Sequence, residues 1–144
     1  MTPETAMSEQ ETIRHILDTY RTVAVVGLSP HTHRDSHEVA RYMQSQGWRI
    51  IPINPNADRI LGEKAYPSLS RAAQHEHIEL VDIFRNSADV PPVVEEAIAA
   101  GAQAIWLQLG IVHEGCATQA RQAHLQVVQN KCLLVEHRRH FGGR

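Results

Sequence analysis

A chain of 144 residues suits one domain with a real core. Its 42% apolar and 21% charged residues lie in the ordinary range of soluble globular proteins, and a net charge of −2 supplies no global field toward nucleic acid. No apolar run approaches the roughly 18–20 residues of a membrane span, and the opening MTPETAMSEQETIRH is polar and acidic, unlike a secretory signal, so a cytoplasmic location is expected.

In chain order, Ser8 and Glu11 form a capping box ahead of ETIRHILDTY, in which Ile13, Ile16 and Leu17 repeat at helical spacing; this predicts a helix over about 8–20. TVAVVG (22–27) reads as a strand apolar on both faces, as in the middle of a parallel sheet. SHEVARYMQSQG (36–47) is the next helix, with Ser36 as N-cap and Gly47 as its stop. WRIIPIN (48–54) is a second strand whose Pro52 removes a ladder donor and asks for an edge-like position or a bulge. A connector, PNADRILGEKAYPS, leads to a short helix over 68–76 and a third strand, IELVDIF (78–84).

Pro91 and Pro92 open a helix that Gly101 closes, AQAIWLQLG (102–110) is the fourth strand, 114–127 is a helix, and NKCLLVEH (130–137) is the fifth strand. The basic, glycine-rich tail RRHFGGR is expected to fray. Strand and helix alternate throughout. The pattern predicts an α/β, Rossmann-like three-layer fold: a five-stranded parallel sheet, order 3-2-1-4-5, with helices on both faces. Cys116 and Cys132 form no CxxC pair or disulfide framework, and Cys132 is expected as a buried, inert thiol at the start of the fifth strand.

In such sheets ligands bind beyond the carboxyl ends of the strands. The four exits read Gly27-Leu28-Ser29-Pro30, Asn54-Pro55-Asn56, Phe84-Arg85-Asn86 and Gln108-Leu109-Gly110. Turn chemistry alone accounts for Gly, Asn and Pro, but less easily for Arg85 directly after a buried strand or Gln108 inside an apolar run. The first exit is the most telling. Gly27 permits close backbone approach, and Ser29, Arg34 and Ser36 stand before a helix N-terminus, whose free N–H groups and dipole suit a phosphate. Arg34 adds a bidentate contact. The dinucleotide fingerprint GxGxxG is absent, and the second strand ends in a neutral Asn-Pro-Asn turn rather than the acid that holds an NAD ribose; a phosphorylated ribose would meet no repulsion there.

Other groupings point to structure. None of the ten histidines falls into HExxH or zinc spacing, so no metal ligands are assigned. His113 is expected to cap the following helix, Glu95 and Glu96 to be surface charges, and Trp48 and Trp106 to be core. Asp82, inside the third strand, is expected to bond backbone N–H groups or a nearby arginine. No Ser-His-Asp or Cys-His arrangement is supported by spacing, and no catalytic residue is assigned.

The stretches VAVVGLSP, Arg34-Asp35-Ser36, GWRIIPINPN, ILGEKAYPSL and VDIFRNSADVPPVVEEAIAAGAQAIWLQLGI, with the Cys132 segment, resemble the small stand-alone CoA-binding proteins. Their domain is similar to the N-terminal CoA-binding domain of the succinyl-CoA synthetase α subunit. Each motif is weak alone; their order across about residues 20–138 is specific. The resemblance implies one domain over 1–144, with an N-terminal helix (about 8–20), a core (about 21–138) and a flexible tail (139–144), that binds coenzyme A or an acyl-CoA. It implies that Gly27, Leu28, Ser29, Arg34 and Ser36 hold the phosphates and that Asn54 and Pro55 flank the adenosine. Phe84 and Arg85 would line the adjoining wall, with Gln108 and Gly110 near the pantetheine. The synthetase keeps its phosphorylated histidine in a second domain with no counterpart here, so binding without ligase activity is expected. The rival readings are a small NAD(P)-linked or CoA-transferring enzyme, and a protein-interaction module regulated by a nucleotide. A homodimer or an unidentified protein partner is open; a nucleic-acid or membrane partner is not expected.

Overall fold

Ser8 Oγ accepts the Glu11 N–H at 3.1 Å while the Glu11 carboxylate accepts the Ser8 N–H at 2.8 Å. This reciprocal cap starts α1 (Glu9–Thr19) in the computed structural model, which describes residues 7–142. There follow β1 (Thr22–Val26), α2 (Asp35–Ser45), β2 (Arg49–Ile53), β3 (Arg59–Ile60), β4 (Glu63–Lys64), α3 (Leu69–Ala73), β5 (Leu80–Ile83), a short 3₁₀ turn at Ser87–Asp89, α4 (Val90–Ala99), β6 (Ala104–Leu107), α5 (Glu114–Gln122), β7 (Gln126–Val128) and α6 (Leu133–Phe141).

The main sheet has five parallel strands in the order β2-β1-β5-β6-β7, flanked by helices in an α/β, Rossmann-like arrangement. Counting only these five along the chain, the order is 2-1-3-4-5 rather than the expected 3-2-1-4-5. Pro52 supplies the reason. The Ile53 carbonyl faces β1, where it accepts the Gly27 N–H, whereas the Pro52 carbonyl faces the other way and accepts the Tyr66 N–H at 2.9 Å. The donor that proline lacks is therefore missing on the outer side, and β2 makes a poor platform for a full neighbouring strand. The third long strand pairs on the far side of β1 instead. The outer side of β2 carries a single bridge, Ile53 to Tyr66. The connector leading to Tyr66 contains the small β3–β4 hairpin, whose turn residues Leu61 and Gly62 both have positive φ, 56° and 77°.

The C-terminal third differs from expectation. The helix expected to run to residue 127 ends at Gln122, and His124 leaves it with φ 71°. Gln126–Val128 form the fifth strand, and residues 133–137, expected as that strand, open α6. A short apolar run such as CLLV fits a buried strand or a buried helix face equally well; burial of Leu133, Glu136 and His137 on one face shows the helical period. Cys132 is accordingly the half-buried N-cap residue of α6. Arg139–Phe141 of the expected loose tail are helical, and residues 143–144 lie outside the described part.

Side chains alternate across the sheet into two cores. Ala24, Ile51, Val81 and Ile105 pack with α3, α4 and α5; Val23, Val25, Leu80 and Trp106 pack with α1, α2 and α6. Trp48 and Trp106 are both buried. From β1 the chain proceeds to β2 on one side of the sheet, while β5 lies on the other, so the switch point falls between the carboxyl ends of β1 and β5.

Candidate functional site

Above that switch point lies a cleft of about 840 Å³, walled by the segments that leave β1, β5 and β6. The first wall begins at Gly27, with φ 87°. A Cβ there would collide with Arg85 Nη1 and with the Phe84 carbonyl oxygen, so the residue must be glycine for β1 and the β5 exit to meet. The loop beyond it is wound on its own hydroxyls. Ser36 Oγ accepts the Ser29 N–H at 3.0 Å, and Ser29 Oγ accepts the His31 N–H at 3.0 Å. Ser36 thus does not cap α2 as expected; Arg34 occupies the N-cap position and its side chain makes no capping bond. The first turn of the helix keeps its N–H groups unclaimed by a capping side chain, beside the exposed Arg34 guanidinium.

The second wall is Phe84, Arg85, Asn86, Ser87 and Asp89; the third is Leu109, Gly110 and Ile111. Cross-links fix the third wall. Gly110 N–H donates to Asn130 Oδ1 at 2.7 Å, Ile111 N–H to the Gln108 carbonyl at 2.9 Å, and Val112 N–H to Ser87 Oγ at 3.3 Å. The lining carries Arg34 and Arg85 against Asp35 and Asp89, so an anion is selected by where donors converge rather than by net charge.

Of the residues expected in a site, Gly27, Ser29, Arg34, Ser36, Phe84, Arg85 and Gly110 line this cleft. Four do not. Leu28 is fully buried, with its carbonyl accepting from Asn54 Nδ2 at 2.9 Å. Asn54 also accepts the Asn56 N–H at 2.7 Å, so it ties the β1 and β2 exits together. Pro55 is exposed outside the lining. Gln108 is buried, and its Nε2 donates to Asp82 Oδ1 at 2.6 Å. Asp35, Asn86, Ser87, Asp89, Leu109 and Ile111 line the cleft without having been assigned to it from sequence. The polar run Asn86–Asp89 after a strand was a usable signal; Leu109 read as the end of a strand.

Asp82 is the most perturbed group near the site. It is fully buried, between Val25 and Trp106 in register. Its one partner is the Gln108 amide, rather than the expected backbone or arginine, and its Oδ2 has none. Burial pushes its carboxyl up to about 7, with the Gln108 hydrogen bond pulling the other way. His113 caps α5 as expected, its Nδ1 accepting the Cys116 N–H at 3.1 Å. Burial, aided by Glu95, pushes the Cys116 thiol up, which keeps it protonated and unreactive. Among the described residues no cluster of three His, Cys, Asp or Glu side chains could hold a metal, and no helix is long and apolar enough to cross a membrane.

The family model described as a CoA binding domain matches residues 21–138, which takes in all three walls of the cleft. The chain belongs to the CoA-binding domain family. The chain is 38% identical over 125 residues to the uncharacterized protein YneT of Bacillus subtilis, covering 87% of this chain and 91% of that one. A hypothetical protein of Pyrococcus horikoshii OT3 superposes with a TM-score of 0.87 at 34% identity, over 99% of this chain and 98% of the other. The chain is also 30% identical over 98 residues to an ADP-forming acetate–CoA ligase of Archaeoglobus fulgidus, covering 66% of this chain but 14% of the ligase.

Proposed function

We propose that this CoA-binding domain protein holds coenzyme A, or an acyl-CoA, across the carboxyl ends of β1, β5 and β6 as a binding or accessory protein. The observation that carries the reading is that one cleft is lined by Gly27, the uncapped N-terminus of α2, and both Arg34 and Arg85. The missing Cβ lets the β1 and β5 exits close on each other and form the floor of the cleft, the helix end offers amide donors and a positive dipole, and the guanidiniums add charge-assisted hydrogen bonds. A diphosphate meets all three. The cleft volume lies within the roughly 300–1,000 Å³ usual for small-molecule sites.

The cofactor's adenosine would extend past the cleft lining toward the β2 side, where the Asn54-Pro55-Asn56 turn offers no carboxylate to repel a phosphorylated ribose. Asn54 contributes there by holding the Leu28 carbonyl, and hence the shape of the first loop, rather than by facing the cleft. Gln108 acts in the same indirect way, through the third wall. The pattern disfavours NAD, whose ribose diol asks for an acid at that strand end.

Calorimetric titration with CoA, NADH and NADPH tests the reading, together with mass spectrometry of natively purified protein for a co-purifying nucleotide. Saturable CoA binding with no nicotinamide response is expected. Tight binding of NADH or NADPH without any CoA response would refute it, and steady turnover of an acyl-CoA would replace the accessory role with an enzymatic one.

A further inference from the structure

The cleft changes character along its length. At the β1 end are helix amides, serine hydroxyls and Arg34; at the β6 end are Leu109 and Ile111. The β1 and β6 ends stand two strand spacings apart, about 10 Å. Leu109, which lines the cleft, is 71% exposed and is the large apolar side chain left most open to solvent among the described residues. That exposure does not come from a slack loop. Gly110 adopts φ 86° with its N–H held by Asn130, and Val112 is held by Ser87 on the β5 exit. The fold thus presents an apolar tip, on braced backbone, at one end of a cleft whose other end suits an anion. A ligand that matches both ends carries its charge at one extremity and an aliphatic group at the other.

Building on the coenzyme A reading, we infer that the β6 loop, through Leu109, selects an aliphatic acyl thioester of CoA over the free thiol. The diphosphate sits at the α2 end, the pantetheine arm crosses the β5 exit, and the acyl chain lies on the apolar tip. Free CoA ends in a thiol that leaves the tip in water; a longer acyl chain covers it, and each methylene removed from water adds affinity.

The test is calorimetric titration of CoA, acetyl-CoA and hexanoyl-CoA against the wild-type protein and Leu109→Asn. Because Leu109 is exposed, its replacement removes apolar surface without opening a core cavity. The wild type is expected to bind hexanoyl-CoA about tenfold more tightly than CoA, with acetyl-CoA between, since half-covered methylenes on an open rim give about that gain. In Leu109→Asn the ratio of hexanoyl-CoA to CoA affinity is expected to fall to about one, whatever the absolute affinity for CoA. Wild-type protein that binds all three ligands equally would overturn the inference while leaving the cofactor reading intact, as would a preference that survives in Leu109→Asn. Protein that binds none of them would overturn both. Light scattering on both forms covers the competing occupant: a wild-type dimer that Leu109→Asn converts to monomer would assign the tip to a second copy of the chain and reject the acyl contact.

Discussion

Asp82→Asn isolates the electrostatic cost of a buried carboxyl beside the cleft. Burial raises the Asp82 pKa from its ordinary 3.8 to about 7, a shift of some three units. At about 1.4 kcal/mol per unit, the ionised folded state carries a penalty of about 4 kcal/mol. The sign follows from proton binding. Between those two values the folded protein holds a proton that the unfolded chain has released, so this group's contribution is fully present below 3.8 and is lost as pH rises through about 7. From pH 5.5 to 8.5 the loss is about 2 kcal/mol, all of it incurred below about pH 7. Asparagine keeps the shape and an acceptor for Gln108 but cannot ionise. Its amide N–H₂ falls where Oδ2 has no partner and buries two unpaired donors where the neutral acid buries one, at a cost of about 1–3 kcal/mol for the extra donor. The variant is therefore expected to be less stable than wild type at pH 5.5 and to close or reverse that gap by pH 8.5. Urea unfolding of both proteins at the two pH values measures the difference, from which the histidine contributions cancel. A wild-type-minus-variant difference that is the same at both pH values would show that Asp82 stays ionised throughout, and would refute the argument.

Gly27→Ala places a methyl against the Phe84 carbonyl, which is backbone and cannot step aside, at a positive φ; a loss of about 2 kcal/mol or more and weakened CoA binding are expected. A melt and titration matching wild type would show that the β1–β5 junction has slack. Arg34→Ala is expected to weaken CoA binding by about 1.5–3 kcal/mol with little change in melting temperature, because Arg34 is exposed and caps nothing with its side chain. Unchanged affinity in calorimetry would remove it from the site. Burial lowers the pKa of His37 and of His137, helped by Arg41 for the first and by Arg21 and His140 for the second. Stability from these two is present above the unfolded value of 6.5 and is lost as pH falls toward their folded values. Circular dichroism from pH 7 to 5 should show softening that His137→Gln reduces, and an unaltered acid profile in that variant would count against His137.

The alternation of elements was legible because β-branched runs and capped amphipathic segments carry their own periods. The strand order was legible too, once Pro52 is given full weight: a strand missing an outward donor belongs at an edge, and 3-2-1-4-5 would have placed it inside. The exchange of strand and helix near Cys132 was not legible, because CLLV fits both and only contact with α1 and α2 decides. At the site, the first loop announced itself through Gly27, Ser29 and Arg34, residues whose chemistry is local. The Asp82–Gln108 pair joins positions 26 apart, and only sheet register brings them together. Leu109 stood among the strand exits but drew no role, because exposure is what makes it unusual, and sequence does not print exposure.

Pro52 has one more consequence. A sheet grows into fibres or joins a second sheet by offering unpaired amides along a rim. On one flank this protein offers a proline and a strap running through Tyr66. On the other it offers only β7, three residues long. A chain arranged this way resists edge-to-edge polymerisation, because one margin lacks a donor and is already strapped and the other is too short to template another strand.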